Sequence, residues 1–261
     1  MSDPTLQIER DGHVARVWLN RPDVRNAFNQ SVIGELRDTF ERLANDTALR
    51  AIVLGGRGKA FCAGADLSWM KEMAGYTWEQ NRADAGQLAD MLWAIYRCPV
   101  PVVGRVHGDC YAGGVGLAAV CDVLVAADAA NFCLSEAKLG LLPATISPYV
   151  IRAMGEQAAR RYFVTAERFS AAQAAALGFV HEVCASDALD AKVDEIVAAL
   201  VANGPMALRA CKALVQDVAG QPITAALRGE TARRIADVRA SDEGREGVQS
   251  FLGKRKPAWL G

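Results

Sequence analysis

Three glycines fall within four positions of "YAGGVGLAAVCD" (111–122): Gly113, Gly114 and Gly116, in a stretch that otherwise reads as the start of a buried helix. Each costs roughly 1 kcal/mol relative to alanine in a helix interior, so the backbone is making room for something. A second small-residue stretch, "FCAGAD" (61–66), also follows a strand-like run and leads into a helical pattern, "LSWMKEM". The first N–H groups of a helix have no intrahelical partner and carry the positive end of its dipole. Two helices that begin at one place aim one N–H each at a single point. That is an oxyanion hole, which stabilises a developing negative oxygen without a charged side chain. One acidic residue, Glu136, is set among the apolar and small neighbours of "FCLSEAKLG". A carboxylate in such surroundings has its pKa raised by desolvation, which suits proton transfer near neutral pH; a solvated surface glutamate is the competing reading.

Two other readings of the glycines stand beside this one. "GVGLAA" fits G-x-G-x-x-A, and Glu136 lies 20 residues past Gly116, near where a dinucleotide site places its ribose-binding acid. Against it, "HGDCYAG" separates the strand "VPVVGRV" from the first motif glycine, whereas that fingerprint turns directly from strand to helix. Alternatively, small residues at 112, 113, 114, 116, 118 and 119 simply let two backbones cross closely. Metal chemistry has little support, because His13, His107 and His181 are scattered; His107 reads as a structural hydrogen-bonding residue.

The elements that must hold these residues can be read from pattern. "LQIERDGHVARVWLNRP" alternates about Asp11-Gly12 and predicts an N-terminal hairpin. "NQSVIGELRDTFERLAND" predicts a helix with Val32, Leu36, Phe40 and Leu43 on one face. "LRAIVLGG" and "PVPVVGRVHG" are buried strands flanking a helical region from Leu67 to about Cys98 with a loop near Gly75, and "CDVLVAAD" is a third. "RGKAFCAGAD" reads as a loop. "SPYVIRAMG" predicts a helix capped by Ser147 with Pro148 in its first turn. Strand and helix alternate, which gives an α/β chain with a mixed or mainly parallel sheet. From Ala166 the texture turns to alanine-rich helices with no comparable strand signal after Val183, so the last ~60 residues form a helical layer with an apolar face for a partner subunit.

Composition removes several classes. The 261 residues suffice for one large domain or a core plus appendage, and Lys+Arg 29 against Asp+Glu 30 give a net charge of −1. There is no basic field of the kind that gathers nucleic acid, so no nucleic-acid partner is expected. No apolar run reaches the ~18 residues of a membrane span, and "MSDPTLQIERDG" is not a signal peptide; a cytoplasmic protein without membrane contact is expected. The seven cysteines, odd in number and without ligand spacing, read as buried thiols in a reducing compartment.

Together "LNRPDVRNAFN", "KAFCAGADLSWM", "VHGDCYAGGVGLAAVCD", "FCLSEAKLGLLPA", "LGFVHEV" and "FLGKRKPAW" resemble the crotonase superfamily, the enoyl-CoA hydratase/isomerase family, over essentially the whole chain. The resemblance implies a crotonase-like spiral of ββα units over 1–195, holding the acyl-CoA site, and a C-terminal helical trimerisation region over 196–261. It implies a homotrimer, commonly paired into a hexamer. No cofactor is implied beyond the coenzyme A of the substrate. By the same resemblance the N–H groups of Ala65 and Gly113 form the oxyanion hole, and Glu136 handles the proton at the α-carbon of the thioester. Arg25, Ala27, Ala63, Asp66 and Leu67 line the coenzyme A path, and Phe251 and Lys254 reach its adenine or phosphate end across a subunit contact. A solvated charge at Arg25, a helix N-terminal acid at Asp66 and a solvated basic tail are the plainer alternatives.

Two positions depart from the family pattern. Gly116 stands where the first of two hydratase carboxylates belongs, and Ala144, in "PATISPYV", stands where many relatives carry a glycine that helps hold the attacking water. A narrower, more apolar floor is expected there, with Thr145 and Ser147 adding hydroxyls. Three activities follow. Hydration of an enoyl-CoA is favoured, because "GGVGLAAVCD" with "LSEAKLGLLPATISPYVIRAMGEQAARRYF" looks most like the bacterial methylglutaconyl-CoA and carboxygeranoyl-CoA hydratase-like members of leucine and isoprenoid breakdown. Double-bond isomerisation by the single Glu136 is the simpler reading of Gly116. A weakly catalytic acyl-CoA-binding member is the third.

Overall fold

A turn through Gly12, whose φ of +50° suits glycine, closes β1 (Leu6–Asp11) on β2 (Val14–Leu19) in the expected hairpin, with Asp11 paired to Val14. The structure, a computed structural model, describes residues 4–261. β2 then pairs in parallel with β3 (Ala51–Gly56), and β5 (Val102–Val106), β7 (Val123–Ala127) and β10 (Glu182–Cys184) extend the sheet in the order β1-β2-β3-β5-β7-β10. Both faces of β3 are covered, which is why "AIVLGG" is apolar throughout rather than alternating.

A second sheet orders β4 (Ala60–Cys62), β6 (Asp109–Tyr111), β8 (Asn131–Cys133) and β9 (Arg168–Ser170), parallel except for the β8–β9 edge. Three times a large-sheet strand is followed by a small-sheet strand and then by helical structure. β3 and β4 lead to α2 (Leu67–Met73) and α3 (Trp78–Arg97), β5 and β6 to α4 (Gly113–Ala119), and β7 and β8 to a 3-10 turn at Glu136–Leu139 before α5 (Ser147–Met154). This is the ββα spiral.

The short strands correct three expectations. "RGKAFCAGAD" contains β4, "HGDCYAG" contains β6, and β9 lies within the region expected to be helical. Each is three residues long, too short for alternation to show, and each forms because a neighbouring strand takes its backbone groups, parallel for β4 and β6 and antiparallel for β9. With β6 leading straight to α4, the strand-to-helix turn is present after all. What then argues against the dinucleotide reading is how the glycines pack.

The main core lies between the large sheet, the small sheet and the helices. From α1 (Gln30–Ala44) it receives Val32, Leu36, Phe40 and Leu43, all buried. On the sheet's other face, Ala51, Val53, Val103, Val125 and Ala127 meet Leu189, Val193 and Val197 of α8 (Leu189–Val201), a helix that runs through residue 195. Among the cysteines Cys211 is exposed, unlike the buried thiols expected; Cys62, Cys98, Cys110 and Cys133 are buried. No single helix among the described residues is long and apolar enough to cross a membrane.

The C-terminal layer comprises α9 (Pro205–Val218), α10 (Ala225–Ala240) and α11 (Asp242–Leu252). α10 buries no residue, and Val215, Ile235, Val248 and Phe251 are exposed. One ion pair, its lysine buried and its aspartate half-buried, ties the layer to the sheet. Lys212 Nζ donates to Asp122 Oδ2 at 2.6 Å and to the Val100 carbonyl at 3.3 Å, while the same Asp122 oxygen accepts the Val102 N–H at 2.7 Å. Burial pushes the Asp122 carboxyl above its ordinary range even with the Lys212 ammonium opposing the shift. Removing one partner of such a pair leaves an uncompensated charge, at about 3–5 kcal/mol. Lys212→Met is therefore expected to lower Tm by about 6 °C or more, and adding Asp122→Asn to recover most of the loss. Calorimetry of both variants checks this, and an unchanged Tm for Lys212→Met would remove the anchor.

Candidate active site

The first loop is registered by the segment ahead of α1. Phe28 and Ala65 form a parallel bridge in which the Phe28 N–H donates to the Gly64 carbonyl at 2.9 Å and the Asp66 N–H donates to the Phe28 carbonyl at 3.0 Å. In such a bridge the central residue's own N–H points away from its partner strand, so that of Ala65 faces outward. Arg21 spans the same junction, donating to the Ala27 carbonyl at 2.5 Å and to Asp66 Oδ2 at 2.8 Å. Asp66 is the N-cap of α2, its Oδ1 accepting the Ser68 N–H at 2.8 Å. Burial pushes the Asp66 carboxyl up, but the Ser68 N–H and the Arg21 guanidinium outweigh it and hold it below the usual range. Both of its oxygens are thus engaged in building the loop.

The second loop leaves β6 through Ala112, a non-glycine residue at φ 47°, ψ −121°, whose N–H is fixed to the Cys133 carbonyl at 2.7 Å. An alanine there is strained, at a cost of order 1–3 kcal/mol, and the strain turns the chain sharply into α4. Among the described residues, neither the Ala65 nor the Gly113 N–H donates to another group. The two loops are in contact: a Cβ on Gly64 would lie 3.0 Å from the Ala112 Cβ and 3.8 Å from the Gly113 nitrogen.

Each glycine of the cluster has its own neighbour. A Cβ on Gly114 would meet the Cys62 carbonyl oxygen at 2.5 Å, so Gly114 lets α4 start against the end of β4. One on Gly113 would run into the tip of the Phe28 ring, with Cε2 at 3.0 Å. One on Gly116 would run into the side chain of Ile146, with the Ile146 Cβ at 2.8 Å. The close-crossing reading therefore holds for Gly114 and Gly116. Where a second carboxylate was the family expectation, a fully buried isoleucine occupies the space in front of Gly116.

Glu136 arrives from the other side of Ala112. β8 ends at Cys133, whose carbonyl holds the Ala112 N–H, and the chain then enters the 3-10 turn beginning at Glu136. Glu136 Oε2 is the one buried side-chain nitrogen or oxygen among the described residues that has no hydrogen-bond partner. Burial raises the Glu136 pKa, opposed only by the residue's own N–H. The two loops that touch thus carry two unpaired backbone donors, and the strand that fixes Ala112 leads into the turn carrying the unpartnered Glu136 Oε2.

The remaining candidates are spread around this centre. Ala27 is buried behind the first loop, Ala63 is half-buried and donates its N–H to the Arg25 carbonyl at 3.0 Å, and Leu67 is 75% exposed. Arg25, at φ 53°, reaches Asp109 Oδ2 at 3.3 Å with most of its side chain in solvent. Ala144 is exposed at the turn before α5. Ser147 does not cap α5: it lies inside the first turn and its hydroxyl donates back to the Ala144 carbonyl at 2.8 Å, because Ile146 is drawn inward against Gly116 and takes the cap position. Phe251 and Lys254 are exposed on the C-terminal layer, and among the described residues no hydrogen bond or ion pair joins them to this site. His107 is held by the Gly58 carbonyl and Arg105. Phe28, Arg21 and Ile146 were not singled out from sequence, and Ala112 only as one of the small residues of the close crossing; each acts through backbone or packing, and "RPDVRNAF" shows only that the segment is turn-like.

A ββα spiral with two such loops and one buried carboxylate defines an enzyme of the crotonase superfamily, and the comparisons agree. The family model described as enoyl-CoA hydratase/isomerase matches residues 9–261. The 2,3-dehydroadipyl-CoA hydratase of Escherichia coli is 32% identical over 259 residues, covering 98% of each chain. The crystal structure of an enoyl-CoA hydratase from Shewanella pealeana aligns with a TM-score of 0.95 at 40% identity, covering 98% of this chain and 96% of that one. Pseudomonas aeruginosa AtuE aligns with a TM-score of 0.95 at 38% identity over 99% and 100% of the two chains. The chain belongs to the enoyl-CoA hydratase/isomerase family.

The packed pair beneath the site has a measurable signature. Gly116→Ala is expected to destabilise by about 1–3 kcal/mol through overpacking, and Ile146→Ala by about 2–5 kcal/mol through the cavity it leaves. The double variant should cost at least about 1 kcal/mol less than their sum. Denaturant unfolding of the four proteins measures this coupling, and strict additivity would mean that the two side-chain positions do not share the space.

Proposed function

We propose that this chain hydrates the 2,3-double bond of an enoyl-CoA thioester, with Glu136 as its only acid/base. The reading is carried by the unpartnered Glu136 Oε2, on the turn after β8, together with the unpaired N–H groups of Ala65 and Gly113 on the two loops that touch. The thioester oxygen accepts both N–H groups. Glu136, ionised, takes a proton from water as the water oxygen bonds to C3. The electron pair of the double bond moves through C2 to the thioester oxygen, giving an enolate that the two donors stabilise. The enolate then collapses as Glu136 returns the proton to C2, so the carboxylate ends ionised as it began. One group serving both carbons places the hydroxyl and the proton on the same face.

A branched or carboxylated acyl group, as in 3-methylglutaconyl-CoA, is the substrate class favoured by the sequence stretches around Gly116 and Glu136. Arg25, Ala27, Ala63 and Leu67 line the coenzyme A path in this reading, with Asp66 holding its loop. Residues 196–261 form the trimer contact that brings Phe251 and Lys254 to a neighbouring site. The Gly116–Ile146 packing favours a second reading, isomerisation, because moving a proton between the α- and γ-carbons needs one carboxylate and no water.

Crotonyl-CoA, 3-methylglutaconyl-CoA and a 3-enoyl-CoA separate the two. A product heavier by one water from a conjugated substrate supports hydration; turnover of the 3-enoyl substrate alone, without a mass change, supports the isomerase and overturns the first reading. Glu136→Gln is expected to lower kcat by about 10³-fold with acyl-CoA binding retained. It should also stabilise the fold, by about 2–4 °C for each kcal/mol relieved. The sign follows from the raised pKa: ionising Glu136 costs the folded state, so the wild type loses stability as pH rises through that pKa, and the difference in Tm should be largest at pH 8 and vanish toward pH 4. The same shift places the acid limb of kcat/KM above the ordinary carboxylate range. A wild type as stable as Glu136→Gln at pH 8 would contradict the buried, unpaired state.

A further inference from the structure

We infer that Phe28 is the positioning residue that sets the distance and angle between the two N–H groups of the oxyanion hole; the inference rests on the reading of Ala65 and Gly113 as that hole. Phe28 is the residue that touches both loops. Its backbone brackets Ala65 on either side, through the Gly64 carbonyl and the Asp66 N–H at 2.9 and 3.0 Å. Its ring, 1% exposed, runs across to the second loop and ends against the Cα of Gly113, where a Cβ would have its Cζ, Cε2 and Cε1 as nearest neighbours. Backbone fixes one donor and side chain fixes the other, in a single residue with no freedom between them.

The ring is held from behind. Trp69 of α2 lies with its ring centroid 6.5 Å away at 54°, and its Nε1 donates to the buried Asp84 of α3 at 3.2 Å. Asp84 also accepts from Gln30 of α1 at 2.8 Å, so the helices that flank the first loop share one buried acceptor. On the other side, Arg21 closes the junction through the Ala27 carbonyl and Asp66. The Phe28 ring therefore cannot withdraw from Gly113 without repacking α1, α2 and α3. Gly113 is glycine for the complementary reason that any Cβ would push α4 off the ring. Misplacement of a donor by about 1 Å is enough to cost a hundredfold in rate.

The test is a cycle in which every variant keeps both N–H groups. Gly113→Ala should lower kcat by about 10²-fold, because the new methyl displaces the donor. Phe28→Leu, which fills the core but does not reach Gly113, should lower kcat by about tenfold, equivalent to 1.4 kcal/mol, with KM for crotonyl-CoA little changed. In the double variant the alanine methyl has the space of the ring tip, so kcat should be no lower than in Gly113→Ala alone. Binding is read in parallel with acetoacetyl-CoA, whose enolate absorbs in the ultraviolet, and with a thioether analogue that lacks the carbonyl. Phe28→Leu should weaken the enolate band's titration tenfold and leave the thioether unchanged, a split that a general loss of packing does not produce. Wild-type kcat and acetoacetyl-CoA affinity in Phe28→Leu, or strict multiplication of the two rate losses in the double variant, would overturn the inference. If the wild-type protein itself binds acetoacetyl-CoA no better than the thioether, it is the oxyanion-hole reading that fails. Should Phe28→Leu not fold, Phe28→Met carries the same comparison.

Discussion

The close approach of β4 and the start of α4 is the constraint on which the site depends. Two backbone donors can share one acceptor only if the chains carrying them nearly touch, and here Gly64 faces Ala112 with little room for a Cβ and Gly114 faces Cys62 with none. A hole made of backbone N–H groups needs no particular side chain at the site itself, and under the proposed reading this is why Ala65 and Gly113 are chemically bland. The specificity is displaced outward: onto the glycines that permit the contact, onto the small sheet that aligns β4, β6 and β8, and onto the residues that register the loops.

Glu136 shows the energetic price of this arrangement most plainly. The fold satisfies the other buried side-chain polar atoms of the described residues and leaves its Oε2 without a partner. Supplying one would hold the carboxylate ionised and weaken it as a base, since hydrogen bonds to the charged form lower the pKa. Asp66, a few ångströms of chain away from the other donor, is the contrast. It too is buried, but the Ser68 N–H and Arg21 outweigh desolvation, and it holds structure rather than protons. Two carboxylates near one site are pushed in opposite directions by their partners, and their roles divide accordingly.

Much of this was legible in the sequence because the relevant features are local. The hairpin turn at Gly12, the amphipathic stripe of α1, the apolar run of β3 and the buried setting of Glu136 each follow from composition over a few residues. The small sheet was not, because its three-residue strands carry no alternation and exist only by virtue of the strands they pair with. Ser147 has the cap residue's chemistry but not its position, since the pull of Ile146 toward Gly116 moves the helix start by one residue. Phe28 and Arg21 escaped for a related reason: they act on residues 37 and 45 positions away, and nothing in "RPDVRNAFN" encodes that reach.

Gly116 is where sequence and structure together say more than either alone. Read along the chain, it is a missing carboxylate, which suggests a gap that one substitution would repair. In the fold there is no gap. Ile146 occupies the space, is itself fully buried, and comes from a different element, the turn that opens α5. The two positions are therefore a single steric unit, small against large, and changing one alone either overpacks the floor or empties it.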